Sequence, residues 1–480
     1  MKTLSTNFKT LLAASLLLSP MLAGAAQLNP VALQCEYRID PLGIDVIKPR
    51  FGWQIQDLEN TRGLRQTAYR LLVATSKKML DDDQGNLWDS GKIDSVQSTL
   101  VPYGGKSLSS GEDCYWKVKL WTQNQNGSEE TSWSDPARFS IGLLEGNDWK
   151  GSWIKYAGMP AKKDVDTVKV SGDEHVWYRK TFTIDESAAK AFVHLASLGY
   201  HELYVNGEKA DTSVLAPSGS RIDKRALYVT YDVTDKLHAG KNVLAVWQSA
   251  GWPRFFKDFK TEPALLVQAN VRTESGAQRA IASDATWRCL PSESQDVGQT
   301  GHRGYGGELI DARHHIEHWN SADYDDSSWA HAVPTLRDMA LSAQMVEPDR
   351  IIETIKPVKM DPGRGGSYKV DMGKNFTGWV EIRNIHGDPG SRITIRVVDD
   401  PKSQEECRQV SIYVCDEAPG TFRNRFNYAG GRYVFIDGLT YQPQLADITG
   451  YAVSTDFKRT GHFKCSDELL NRIYETDLWT

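Results

Sequence analysis

The sequence predicts an all-β protein of consecutive β-sandwiches, closed by one helix. Three observations carry this. Short runs rich in β-branched and aromatic residues recur along most of the 480 residues, separated by turn clusters. At roughly 150 residues per domain, the length suggests about three domains. The last segment shows helical rather than alternating periodicity. Apolar residues make up 40% and charged residues 25%, an ordinary globular balance that argues against global disorder. A net charge of −6 gives no sign of the basic domain or stripe that nucleic-acid binding requires.

Residues 1–25 read as a secretory leader. Met1-Lys2 and Lys9 precede an apolar stretch centred on Leu11 to Leu18, and the small residues Ala23-Gly24-Ala25 follow. The apolar stretch is too short for a membrane span. Cleavage is expected after Ala25. The mature chain is then expected in the periplasm or outside the cell, with no membrane attachment. Loss of Lys2 and Lys9 moves the net charge from −6 to −8, since no acid precedes Ala26. The six cysteines are Cys35, Cys114, Cys289, Cys407, Cys415 and Cys465. They are too sparse for a disulfide scaffold. Cys407 and Cys415 are close enough to staple a hairpin, and buried thiols explain the other four equally well.

Residues 27–145 read as the first sandwich. Tyr69–Thr75 and Tyr115–Trp121 are strand-like, and Asn124-Gln-Asn-Gly127 is a turn. Their order, closed by Trp133-Ser134, resembles fibronectin type III-like domains. Trp53, Trp116 and Trp121 are expected in its core. Residues 146–340 form a second, jelly-roll or carbohydrate-binding-like sandwich. Its strands include Trp177–Ile184, Glu202–Val205, Asn242–Trp247 and Pro263–Val271, with Asn206-Gly207 as a tight hairpin turn. Asp323–Trp329 reads as a capped turn that ends this domain. Residues 345–457 form a third sandwich, in which Trp379–Arg383 and Arg392–Val398 alternate and Arg432–Ile436 is a further strand. Residues 458–480 open a helix. Ser466 is the expected cap, Asp467 and Glu468 face the positive dipole end, and Leu469, Leu470, Ile473 and Tyr474 share one face. No second helix is evident to cover that face.

Chemical motifs are scarce. Asp81-Asp-Asp83, Asp325-Asp326, Asp399-Asp400 and Glu405-Glu406 are adjacent carboxylates. Neighbours on a strand point to opposite faces and do not aim at one bond. Solvated turns explain them. His314-His315 reads as a solvated strand end. No H-E-x-x-H, G-x-S-x-G or Walker pattern is found.

A family resemblance emerges from motifs in order. Leu33–Tyr37, Pro41–Asp45, Pro49–Trp53, Gln66–Arg70 and Leu87–Gly91 lie in the first domain. Leu198-Gly-Tyr200, Tyr204-Val-Asn-Gly207, Asp223-Lys-Arg225, Tyr231–Thr234 and Gly251-Trp252 lie in the second, with Glu308, Asp311-Ala-Arg313 and Asp325–Trp329 at its end. Asp371–Trp379 and Gly431–Val434 lie in the third, and Phe463–Asp467 with Asn471–Thr480 close the run. Together these resemble the bacterial α-L-rhamnosidases with an (α/α)6 catalytic barrel. The resemblance implies the N-terminal, non-catalytic half, ending in the first helix of a barrel that is missing. Inverting hydrolysis needs two carboxyl groups about 6.5–9.5 Å apart. In the family they lie in the barrel, so no catalytic residue transfers to this chain.

The resemblance also implies a rhamnose-containing oligo- or polysaccharide as the partner. Asp223, Arg225, Tyr231, Trp252 and Arg254 are the candidate sugar-binding residues. The position where the family often has a tryptophan is here Gly219. No cofactor is required. Calcium is a possible ligand of the second domain, through Asp211, Asn206 and Asp223. Three readings stay open: the accessory portion of a secreted α-L-rhamnosidase, a free-standing carbohydrate-binding protein, and a scaffold for a separate barrel chain. None involves nucleic acid.

Overall fold

The computed structural model describes residues 28–125, 127–158, 164–165, 168–169, 174–251, 262–297, 306–402 and 409–479. The expected leader, Trp252, Arg254, Cys407 and Glu405-Glu406 lie outside them. The chain divides into two compact units. The first comprises residues up to 40, 48–106 and 114–138, and the second comprises 41–47, 107–113 and 139–480.

The first unit is a two-sheet sandwich. Asn29–Cys35, Arg50–Gln56 and Val101–Pro102 form one sheet. Arg65–Ala74 and Asp113–Asn124 are the long central pair of the other. Phe51, Trp53, Leu71, Val73, Trp116 and Val118 are all buried between the sheets. Phe51 and Trp116 meet with ring centroids 4.5 Å apart. The Trp53 indole N–H donates to Gln66 Oε1 at 2.8 Å, so burying it leaves no orphan donor. Trp121 departs from expectation. It is half-buried on the outer face, under Lys92 Nζ at 4.7 Å, and donates to Glu130. A five-residue helix, Lys77–Asp81, was not signalled by periodicity because it is barely one turn long. Ser76 caps it, and the acids Asp81, Asp82 and Asp83 pair with Lys77, Lys78 and Lys117.

In the second unit, Trp153–Lys155, Ala264–Thr273, Ala188–Leu198 and Arg225–Asp232 are consecutive neighbours in one sheet. A facing sheet contains Tyr200–Val205, Gly240–Ser249, Glu174–Ile184 and Arg288–Asp296. Val176, Tyr178, Phe182, Leu244 and Val246 fill the space between them. The Asn206-Gly207 turn is present, with φ of +51° and +90° at its two residues. The opposite face of the second sheet is covered by its own chain. Trp319 and Trp329 stack on Trp177 at 5.0 and 6.2 Å, both tilted by only 17°. The Asp323–Trp329 turn thus folds back over the sheet. Arg179 is fully buried beneath it and donates to the carbonyls of Ser321 and Tyr324.

The second and third sandwiches share a sheet. Glu308–Asp311 pairs antiparallel with Arg288–Asp296 and parallel with Gln409–Val414. Through that strand the sheet continues into Arg392–Val398, Ala429–Asp437, Tyr368–Ile385, Ile448–Thr455 and Asp349–Ile355, reaching fifteen strands among the described residues. Val370, Ile382, Ile393, Ile395, Val434 and Ile436 form the third core. Within Tyr368–Ile385, Asp371 is held by Arg432 through bonds of 2.7 and 2.8 Å. Gly378 has φ +153°, and a Cβ there would sit 1.9 Å from the Tyr451 carbonyl oxygen. Only glycine lets these strands approach.

The helix spans Glu468–Trp479. Its cap is Asp467, one residue later than expected: Asp467 Oδ1 accepts from the N–H groups of Leu469 and Leu470 at 2.8 and 3.3 Å. Leu469, Leu470 and Ile473 are exposed at 57%, 49% and 55%, so most of the expected stripe faces outward. Tyr474 is half-buried against Phe463, at 5.4 Å. Trp479 anchors the end: its N–H donates to the Asn375 carbonyl at 2.7 Å, and Lys374 lies over its ring at 3.7 Å. No described helix is long and apolar enough to cross a membrane. Cys35, Cys289 and Cys415 are buried thiols.

Gly378→Ala should lower stability by at least about 2 kcal/mol, because it adds a backbone clash to an unfavourable φ. Urea denaturation of the two variants, followed by tryptophan fluorescence, checks this; equal midpoints would refute it.

Candidate functional site

Of the residues singled out in the second sandwich, the described ones, Asp223, Arg225 and Tyr231, do not converge. Asp223 is exposed and held by Arg221 through bonds of 2.9 and 2.8 Å. Arg225 is exposed at the start of its strand. Tyr231 lies six residues further along, roughly 20 Å away at the rise of an extended strand. It is 5% exposed within the core, and its hydroxyl meets Nε2 of His201 at 2.9 Å. Such a ring offers no platform to a sugar. The oxygens considered for calcium are also committed separately. Asp211 accepts from the N–H and hydroxyl of Ser213, and the Asn206 amide bonds Lys236, Asn242 and Val243. Among the described residues, no group of three or more His, Cys, Asp or Glu is placed to hold a metal ion.

The concentrated chemistry lies where the second and third sandwiches join. On the Tyr200–Val205 strand, Leu203 and Val205 face the core while Glu202 and Tyr204 face the join. Glu202 is almost fully buried. Its Oε2 accepts from Arg425 Nη1 at 2.6 Å and from the Tyr204 hydroxyl at 2.6 Å, and its Oε1 accepts from Lys209 Nζ at 2.7 Å. Burial alone would raise the Glu202 pKa, but Arg425 and Lys209 pull it down to about 2. The Arg425 guanidinium lies over the Trp247 ring at 4.2 Å, and about a third of its side chain is exposed. A guanidinium between a carboxylate and an indole face uses both its charge and its plane.

Glu308, on the shared strand, adds a second tie. Its carboxyl group accepts from the backbone N–H groups of Arg425, Phe426 and Asn427, at 2.5–3.0 Å. Complete burial raises its pKa despite these bonds and the nearby His175. His175 is itself buried, with Nδ1 2.8 Å from Ser294 Oγ and Nε2 3.2 Å from Asp296 Oδ1. Ser294, His175 and Asp296 are all buried, at 4%, 0% and 3% exposure. Burial disfavours the imidazolium, yet Asp296 and then Glu308 outweigh it and raise the His175 pKa. The set serves to close a buried polar network.

Beside these ties opens a cleft of about 590 Å³. Trp247, Tyr413 and Ile310 supply apolar wall. Glu293, Glu308, Glu317, Glu381, Asp416, His315, Arg423 and Arg425 supply polar groups. Glu381 lies on the Trp379 face of its strand, 3.8 Å from Arg423 and 3.3 Å from the Tyr451 hydroxyl. Glu293 hydrogen-bonds His315 and raises its pKa. A second hollow of about 480 Å³ abuts the first and shares Glu293, Ser294 and His315 with it. Sequence reasoning missed nearly all of this site. Glu308 was noticed only within a motif. His315 was read only as part of a solvated pair, and the local signal for Glu202 was an acid beside the core residues Leu203 and Val205.

Glu202 provides the pH test. Its folded pKa lies below the ordinary glutamate value, so its stabilisation is present above about pH 4.5 and is lost as pH falls toward 2. Glu202→Gln should flatten stability against pH across that window. Arg425→Met, which strands a buried carboxylate, should destabilise by about 3–5 kcal/mol at neutral pH. Urea midpoints from pH 2 to 7 check both; parallel curves for wild type and Glu202→Gln would refute the first.

Three family models match the chain in order. Residues 30–145 match the Rha78A-like N-terminal immunoglobulin domain. Residues 186–353 match the alpha-L-rhamnosidase N-terminal domain. Residues 363–454 match the bacterial alpha-L-rhamnosidase concanavalin-like domain. An alpha-L-rhamnosidase of Formosa agariphila is 30% identical over 92% of this chain and 49% of its own length. One from an Alteromonas species is 24% identical, with the same coverages. The solved structure of the alpha-L-rhamnosidase from Dictyoglumus thermophilum superposes with a TM-score of 0.83 at 31% identity, covering 94% of this chain and 51% of that one. The Streptomyces avermitilis enzyme, solved with L-rhamnose, shares the fold with a TM-score of 0.82 at 21% identity, covering 94% and 60%. The chain therefore spans about half the length of these curated relatives. Its three domains thus match, in order and in fold, the immunoglobulin, N-terminal and concanavalin-like domain families of alpha-L-rhamnosidases.

Proposed function

We propose that these 480 residues are the accessory N-terminal portion of a secreted α-L-rhamnosidase acting on rhamnose-containing glycans, and that by themselves they do not hydrolyse rhamnosides. The ordered run of domain matches, over about half the length of the relatives, carries this reading. The chemistry of the cleft supports it. A general acid and a general base need carboxyl groups free to give and take protons. Here three of the five cleft carboxyl groups are engaged: Glu308 accepts three backbone N–H groups, Glu293 is paired with His315, and Glu381 lies beside Tyr451 and Arg423. The role left to the two joined sandwiches is to support a catalytic domain and to shape the glycan's approach. Hydrolysis of an aryl α-L-rhamnoside by the purified chain, with and without calcium, tests this. Release at background is expected; turnover that survives repurification and is lost on Glu381→Gln would overturn it.

A second reading, docking of a separate helical barrel chain, has the exposed Leu469, Leu470 and Ile473 stripe behind it. A solvated apolar stripe promotes association. Changing all three to glutamine should leave the sandwiches folded and reduce self-association in sedimentation. Unfolding of the third sandwich would instead mean that the stripe belongs to its core.

A further inference from the structure

We propose that the trough at the join of the second and third sandwiches is a saccharide-binding site that takes a neutral oligosaccharide, with Arg423, Glu381 and the Glu293–His315 pair contacting its hydroxyls. This rests on the glycan reading above and adds to it a place and a ligand class. No part of it coincides with the Asp223–Arg225 region.

Size comes first. The main cleft, about 590 Å³, lies within the range of ligand sites, about 300–1,000 Å³. The second hollow shares Glu293, Ser294 and His315 with it, but on the shared strand Glu308 and Ile310 line the first while Leu309 and Asp311 line the second, on the opposite face.

Charge comes second. Positive and negative groups alternate along the wall, and several are incompletely engaged. Arg423 is about one-third exposed, with its paired carboxylate, Glu381, at the long distance of 3.8 Å. His315 is 55% exposed and bonds Glu293 through one nitrogen, leaving the other open. Five carboxyl groups face the cleft against two arginines and one histidine, so a polyanion would meet net repulsion. A neutral polyol presents donors and acceptors together and matches both signs.

The test is titration of the intact chain, followed by tryptophan fluorescence and calorimetry, because Trp247 forms the wall. The probes are a neutral rhamnosyl oligosaccharide, a neutral oligosaccharide without rhamnose, and a polyanionic glycan. Saturable binding of the rhamnosyl probe is expected. Arg423→Gln and Glu381→Gln should each weaken it at least tenfold with unchanged melting temperature, and Thr421→Trp should abolish it by filling the cleft. Asp223→Asn should leave it unchanged. Binding of the rhamnose-free probe alone, with the same pattern among variants, would uphold the site and sink the rhamnose reading. No saturation by either neutral probe, tighter binding of the polyanion, or loss on Asp223→Asn without loss on the cleft variants would overturn the site. The aryl rhamnoside assay is unaffected by any of these results.

Discussion

The second unit depends on one constraint: Glu202 of the second sandwich must meet Arg425 of the third. Taking a carboxylate out of water costs several kcal/mol unless a partner and further hydrogen bonds replace the solvent. Glu202 obtains Arg425, Lys209 and the Tyr204 hydroxyl. None of these can be lost cheaply, so the relative placement of the two sandwiches is fixed more by the penalty of misplacement than by net attraction. Glu308 repeats this logic with backbone. Its carboxyl group takes the N–H groups of three consecutive residues, Arg425 to Asn427, which a sheet ladder does not pair. The same short segment is therefore held twice, once through a side chain and once through its own peptide groups.

The shared sheet and these ties reinforce one another. Parallel pairing of Glu308–Asp311 with Gln409–Val414 sets the register of the join, and register decides which face each side chain occupies. A slip by one residue would turn Glu308 away from Arg425 and bury nothing to neutralise it. The aromatic layer then closes the outer side. Trp247 lies under Arg425, Trp319 and Trp329 stack on Trp177, and Phe426 packs at the edge of Trp247. Indole faces are suited to this place because they exclude water while still attracting a guanidinium.

The fold was more legible than the site, for a physical reason. Strands and turns are local. The alternation of Arg392–Val398 and the Asn206-Gly207 turn were readable because period and backbone conformation are written within a few residues. The helix stripe was readable for the same reason, although the cap shifted from Ser466 to Asp467, two residues with equal capping chemistry. Sharing of a sheet between two domains is not local, and nothing within Glu308–Asp311 announces a parallel partner a hundred residues away. The site was hidden by the same distance, since Glu202 and Arg425 are 223 residues apart. Tyr231 shows the converse error. A tyrosine in a polar motif suggests recognition, but its strand turns the ring into the core, where His201 satisfies the hydroxyl.

The join explains why a concave, mixed-charge surface arises here rather than on either sandwich. A sandwich in isolation is convex, with polar side chains solvated on its outer faces. Where the two share a sheet and are pinned by buried ions, a cleft opens beside the pin, and the polar groups lining it are partly desolvated. Glu381, Arg423, Glu293 and His315 occupy that position. Glu293 is paired with His315, and Glu381 lies beside Tyr451 and Arg423, so these groups are held in place before any ligand arrives. Preorganised polar groups on an apolar wall lower the cost of binding, because ordering them costs little further when a ligand arrives. The ties that stabilise the join therefore also hold the polar groups of the cleft in place.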